Sequence, residues 1–358
     1  MKSLKKKIRV GILFGGRSSE HEVSLLSARS IVDAIDRKKY DVALIGIGKD
    51  GRWLGAGAET YLLHASDPKR IAINVKATKE LALKPGSGGV GPVDVVFPVL
   101  HGTYGEDGSV QGLLRMLDLP FVGPDVLGSA VGMDKDVAKR LLRDAGVPVA
   151  DFLTFNRGEA VRPAIVRKRL GKTVFVKPAN QGSSVGVSKA ADVASLKKAV
   201  REAFKYDTKI LIEEAVPGRE IEVSVLGNEK PEASVPGEVI PHHEFYSYEA
   251  KYLDEHGAGL AIPAKLSAAL TRKVQALAVK TFRTLALEGM ARVDFFMKKD
   301  GTFVVNEVNT IPGFTKISMY PKLWAASGLP YPKLIDRLIT LALERHARRG
   351  RLATERTR

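Results

Sequence analysis

Two runs rich in β-branched and aromatic residues, 290–298 and 302–308, are separated only by Lys299-Asp300-Gly301. Asp-Gly between such runs is a strong hairpin signal, because glycine adopts the backbone that a tight turn needs. In that hairpin Arg292 and Asp294 fall on one strand, Glu307 and Asn309 on the other. Side chains alternate along a strand, so Arg292 shares a face with Asp294, and Glu307 with Asn309. The pairing then sets Asp294 beside Glu307 and Asn309. Two carboxylates and an amide carbonyl, in a chain with no Cys, suit hard cations such as Mg²⁺ that carry nucleotide phosphates. Taken alone, the spacing reads more simply as a hairpin with solvated acids, so the rest of the chain decides.

The first 125 residues alternate strand and helix. Segments 8–14, 41–47 and 93–99 read as strands. Ala28, Ile31, Val32 and Ile35 fall at helical spacing, as do Val110, Leu113, Leu114 and Leu117. This predicts an open parallel sheet with flanking helices, a Rossmann-like α/β domain over 1–128. Residues 84–92 read as a loop. Gly46-x-Gly48-x-x-Gly51 matches the dinucleotide fingerprint by letter, but a true fingerprint opens a helix. Here Gly48-Lys49-Asp50-Gly51 reads as a turn into an extended piece at Arg52-Trp53, which argues against a nicotinamide cofactor.

Two further units follow, over 129–219 and 220–346, with a basic tail at 347–358. The first has a helix through Ala138, Leu141, Leu142 and Ala145, strands at 173–177 and 209–213, and a helix at 192–204. The second has a polar loop at 241–262, a long helix at about 267–288, the hairpin, and a helix from about 331 to 346.

A net charge of +16 raises the question of nucleic acid. The termini carry most of it: Lys2, Lys5, Lys6, Lys7 and Arg9 with no acid, and six Arg against Glu355 over 345–358. A frayed, solvated tail accounts for such a run, and no nucleic-acid partner is expected. No apolar run reaches the roughly 18–20 residues of a membrane span. The apolar stretch after Lys7 is cut short by Gly15-Gly16-Arg17 and reads as a strand, not a signal peptide. A cytoplasmic location is expected, consistent with the lack of Cys.

Val176-Lys177-Pro178 precedes Ala179-Asn180-Gln181-Gly182-Ser183-Ser184-Val185-Gly186. A lysine ending a buried strand before a Gly/Ser loop suits phosphate: small side chains let backbone N–H groups approach, and the ammonium adds a point charge. Ile210-Leu211-Ile212-Glu213-Glu214-Ala215-Val216-Pro217-Gly218-Arg219-Glu220 is an apolar strand running into acids and a turn, able to line a base slot. With the hairpin, these pieces resemble the ATP-grasp superfamily, in which nucleotide lies between two α+β subdomains. Gly15-Gly16-Arg17-Ser18-Ser19-Glu20-His21-Glu22, Leu100-His101-Gly102-Thr103-Tyr104-Gly105-Glu106-Asp107-Gly108, Tyr248-Glu249-Ala250-Lys251-Tyr252 and Glu307-Val308-Asn309-Thr310-Ile311-Pro312-Gly313-Phe314-Thr315 look like D-alanine–D-alanine ligases. The departures are the basic termini, the 48–92 segment and Ile311 within the Asn-Thr-x-Pro-Gly turn.

The resemblance implies that ATP phosphorylates one D-alanine carboxylate and the amine of a second D-alanine attacks the acyl phosphate. It implies that Lys135, Lys177, Ser184 and Lys251 meet the phosphates. Glu213, Glu214, Val216 and Glu220 are then expected around adenine and ribose. Asp294, Glu307 and Asn309 are expected to bind two Mg²⁺ (or Mn²⁺), Arg292 and Gly313 to stabilise the oxyanion, and Glu20 to pair with the first ammonium. Ser318 is expected at the second carboxylate, His101 as a proton acceptor near the substrates, and Tyr252 as a lid residue reaching Ser183 and Glu20. It also implies a homodimer. Relatives that join D-alanine to D-lactate or D-serine are the nearest alternative, and Tyr252 argues against D-lactate.

Overall fold

In the computed structural model, which describes residues 6–56, 61–64, 67–74, 78–80, 93–241, 258–315 and 317–353, the first apolar run becomes β1 (Ile8–Gly15). Val10, Ile12 and Phe14 are fully buried, as expected of a strand inside a covered sheet. Gly15 and Gly16, both at positive φ, turn the chain into α1 (His21–Ala34). β2 (Tyr40–Ile47) pairs parallel to β1. At the next turn Gly51 N donates to Gly48 O, and the chain returns antiparallel as β3 (Trp53–Ala56), so no helix opens at the glycines. β4 (Leu62–Leu63) and β5 (Ala72–Ile73) form a small side sheet, and β6 (Thr78–Glu80) extends β3. β7 (Val95–Pro98) pairs parallel to β1 on its other side. The order is β6-β3-β2-β1-β7, so the parallel part is confined to three strands.

α2 (Ser109–Met116), α3 (Val126–Met133) and α4 (Lys135–Asp144) follow. Asp134 caps α4 by accepting from the N–H groups of Asp136 and Val137. A four-stranded sheet comes next, built from β8 (Phe152–Asn156), α5 (Pro163–Leu170), β9 (Val174–Pro178), β10 (Ser188–Ala190), α6 (Val193–Ala203) and β11 (Lys209–Glu214), with order β10-β9-β11-β8. The last sheet has order β15-β14-β12-β16-β17, with β13 (Glu232–Ala233) beside β12 (Arg219–Gly227). Its other members are β14 (Gly237–Pro241), β15 (Ala258–Ala261), β16 (Gly289–Met297) and β17 (Phe303–Asn309), with α7 (Ala268–Thr284) packed against it. α8 (Met319–Ala326) and α9 (Tyr331–Arg349) close the chain.

Three helices, α3, α5 and α8, lie outside the sequence expectation. α3 is rich in Gly, Ser and Ala, which blunts its periodicity, and α5 and α8 carry a proline in their first turn, where no intrahelical N–H is needed. The end of the expected polar loop is strand, β15, while 242–257 lies outside the described residues. The last helix runs to Arg349, beyond the expected end. Arg345 donates to Gly123 O (2.5 Å) and Phe121 O (2.6 Å), and Arg348 and Arg349 pair with Glu288. The start of the arginine-rich run is therefore held, not frayed. One face of α9, with Leu334, Ile335, Leu338 and Ile339, shares a core with Val95, Phe97 and Phe14. That packing brings the turn around Ile311–Phe314 against the first sheet.

Candidate active site

The hairpin forms in the expected register, with Asp294 opposite Glu307 and Arg292 opposite Asn309. Asp300 Oδ1 accepts from Thr302 N, and Gly301 supplies the positive φ. Asn309 Nδ2 donates to Asp294 Oδ2 at 2.9 Å. Arg292 forks onto Asp294 with two bonds of 2.7 Å, and its Nε lies 2.9 Å from Glu222 Oε2 on β12. Glu222 is opposite Asp294 in the register. Sequence reasoning passed over Glu222, although its alternation with Glu220 was the available signal. Beyond Asp294 the pairing slips: Phe295 faces Val305, so Asn306 is an extra residue in β17.

The second group is cationic. Lys177 Nζ lies 2.8 Å from Glu213 Oε2 and donates to Asn306 Oδ1 at 3.1 Å. Lys139 Nζ lies 3.2 Å from Glu213 Oε1, with both side chains buried. Burial alone would raise the Glu213 carboxyl, but Lys139 and Lys177 outweigh it and hold the group at about 2. Burial opposes the charge on Lys177 too, yet Glu213 leaves its pKa raised. Burial dominates at Lys135 and Lys139, which are lowered. Lys135 Nζ donates to Gln181 O at 2.6 Å. Lys139 was not singled out from sequence, yet it lies one helical turn after Lys135 on the same face of α4. A cleft of about 310 Å³ brings together Lys135, Lys177, Ser184, Glu213, Glu214, Val216, Glu220 and Glu307, with Phe175 and Phe296 beside them. Lys251 lies outside the described residues.

The third group is acidic. Glu20 stands at the N-cap of α1, buried, and accepts from the Ser183 hydroxyl at 2.5 Å. Ser183 and Ser184 both adopt positive φ, a sparsely populated conformation for residues with a Cβ. Glu106, also missed from sequence, accepts from Gly102 N (2.8 Å) and Ile311 N (3.0 Å). Burial and the nearby Glu20 push its carboxyl up to about 7. His101 is almost wholly enclosed. Its Nδ1 lies 3.0 Å from Ile311 O and its Nε2 3.2 Å from Ser27 Oγ, and burial pushes it down to about 4. Phe314 N donates to the same Ser27 hydroxyl at 3.2 Å. These bonds are met by a neutral ring with its proton on Nδ1, so both nitrogens are engaged in bracing the turn that contains buried Gly313. Ser318 Oγ accepts from Thr315 N at 3.0 Å, at the start of α8. Tyr252 lies outside the described residues.

A family model described as "D-ala D-ala ligase N-terminus" matches residues 9–124, and one described as "D-ala D-ala ligase C-terminus" matches residues 141–340. A D-alanine–D-alanine ligase A of Salmonella typhimurium is 54% identical, covering 97% of this chain and 99% of the relative. A solved D-alanine–D-alanine ligase from Coxiella burnetii superimposes with a TM-score of 0.86 at 40% identity, covering 96% of each chain. The D-Ala:D-Ser ligase VanG from Enterococcus faecalis gives a TM-score of 0.81 at 35% identity, covering 94% of this chain and 100% of its own.

Proposed function

This chain belongs to the D-alanine–D-alanine ligase family, and we propose that it joins two D-alanines with ATP, through an acyl phosphate, for peptidoglycan precursor synthesis. The observation that supports this reading best is the adjacency of two charged groups: Lys135, Asn306 and Glu307 line both the cleft that holds Lys177 and Glu213 and a small cavity that Glu106 and Lys139 line.

A carboxylate is a poor electrophile, and phosphorylation gives it a leaving group. The first D-alanine would lie with its ammonium at Glu20, which the Ser183 hydroxyl holds in place. Lys135 and Lys177 would carry the phosphates of ATP, with Lys177 kept charged by Glu213. Glu213 thus acts through its lysines, while Glu214, Val216 and Glu220 line the cleft where the nucleoside fits. When the γ-phosphoryl passes to the carboxylate, ADP departs. The second amine then adds to the acyl carbon, and the resulting oxyanion would meet Arg292 and the backbone at Gly313. Collapse expels phosphate, which leaves with the proton the amine gives up, and the peptide bond remains; Arg292 supplies charge that a preformed, partly buried site makes effective. Ser318 would receive the second carboxylate. Both nitrogens of His101 are engaged, so its role in this reading is to hold Ile311 and, through Ser27, Phe314.

Among the described residues no group of three or more His, Cys, Asp or Glu is arranged to hold a metal. The expected set is of another kind, two carboxylates and one amide. The facing positions of Asp294 and Glu307, with Asn309 already touching Asp294, fit a hard divalent cation. Mg²⁺ (or Mn²⁺) held by Asp294, Glu307 and Asn309 would neutralise charge on the phosphates. A homodimer in the cytoplasm completes the proposal; a monomer mass in sedimentation at micromolar protein would overturn the dimer. No helix among the described residues is long and apolar enough to cross a membrane.

Phosphate release from ATP, compared with D-alanine, D-serine, D-lactate and L-alanine, tests the reading. D-alanine alone should drive it and yield D-alanyl-D-alanine. Mixed products with D-serine or D-lactate dominating at pH 7 would overturn the assignment of the second substrate.

A further inference from the structure

Asn306 has no residue opposite it in the register, because Glu307 faces Asp294 while Val305 faces Phe295. Along an unbulged strand it would turn away from the side that Glu307 faces. The bulge re-aims it, and Asn306 and Glu307 both line the nucleotide cleft. The Asn306 amide oxygen accepts from Lys177 Nζ at 3.1 Å, a bond that crosses from the last sheet to the four-stranded sheet.

A lysine ammonium has three N–H donors. One faces Glu213 Oε2 at 2.8 Å and one is given to Asn306, which leaves a third for a ligand. Long, flexible side chains lose up to about 2 kcal/mol of rotamer freedom when fixed. Two acceptors on separate sheets fix Lys177 before any ligand arrives. A neutral amide does this without adding another negative charge next to Glu213 and Glu307, where phosphate would be repelled.

We infer that Asn306 is a positioning residue, which from its bulge holds the Lys177 ammonium where the nucleotide phosphates bind and thereby sets nucleotide affinity. The inference rests on the reading of this cleft as the ATP site. Calorimetric titration with a non-hydrolysable ATP analogue, alongside steady-state kinetics, tests it on wild type, Asn306→Leu, Lys177→Met and the double variant. Losing a hydrogen bond to a charged group corresponds to about a tenfold loss. Asn306→Leu should therefore weaken the analogue and raise the KM for ATP by that factor, with the KM for D-alanine within twofold. Asn306→Ala, which adds no bulk, should show the same split. In the Lys177→Met background the Leu change should have no further effect on analogue affinity. Wild-type analogue affinity in both Asn306 variants, or a loss that persists once Lys177 is gone, would overturn the role of Asn306. Unchanged analogue affinity in Lys177→Met would instead overturn the nucleotide assignment itself.

Discussion

Glu213 is buried and Glu106 half-buried, they line adjoining cavities that share Lys135, and their carboxyls end at opposite extremes. Lys139 and Lys177 flank Glu213 and hold it at about 2, whereas Glu20 stands near Glu106 and helps to push it up to about 7. Desolvation acts in the same direction on both; the neighbours decide the sign. The lesson is one of polarity. Around Glu213, Lys139 and Lys177 converge on one carboxylate and Lys135 stands nearby, so cations that could meet an anion are gathered there beside Glu214, Glu220 and Glu307. Around Glu106, a second carboxylate leaves a place for a cation such as an ammonium.

Arg292 is the cation of the hairpin, shared by Asp294 and Glu222, and removing it should have the largest effect. Arg292→Met leaves Asp294 and Glu222 without their shared cation. Turnover should fall by roughly 10² or more, the scale of losing one strong transition-state donor. Affinity for an ATP analogue should change less than threefold. Retained turnover with weakened nucleotide binding would make Arg292 a ground-state ligand instead.

A smaller effect sharpens the acidic side. His101 titrates at about 4 in the fold against its ordinary 6.5, so the native state favours the neutral ring. The unfolded chain therefore binds more protons between those values. The His101 contribution is fully present above pH 6.5 and is lost as pH falls toward 4. Between pH 6.5 and 5 this amounts to roughly 2 kcal/mol. Urea unfolding of wild type and His101→Asn at several pH values checks it. The wild type should lose more stability on the acid side, and parallel curves would show that His101 is not the buried neutral group described.

The hairpin was legible because its information is local: Asp300-Gly301 fixes the turn, and alternation then sets Asp294 against Glu307. The bulge was not, since nothing in Val305-Asn306-Glu307 announces an extra residue, and with it Asn306 stayed hidden. Lys139 and Glu222 lie one helical turn and one strand repeat from residues that were singled out, so periodicity pointed to them without saying what they would face. Glu106 was further from reach. Gly102 is a local partner, but Ile311 comes from the far end of the chain and reaches Glu106 because α9 packs the last segment against the first sheet. His101 shows the converse: its place in a motif suggested proton transfer, and only the tertiary contacts to Ser27 and Ile311 give it a bracing role.

The polarity of the cleft is tested most directly at Glu20, by measuring on the same Glu20→Gln protein both the first-site KM for D-alanine and the affinity for an ATP analogue. The change keeps the shape that accepts from Ser183 and removes the charge. Loss of a charge-assisted contact to an ammonium corresponds to tenfold or more, on the order of 1.5–3 kcal/mol. D-alanine should weaken by at least that factor while the ATP analogue binds within twofold of wild type. Weakened analogue binding with an unchanged D-alanine KM would contradict that polarity.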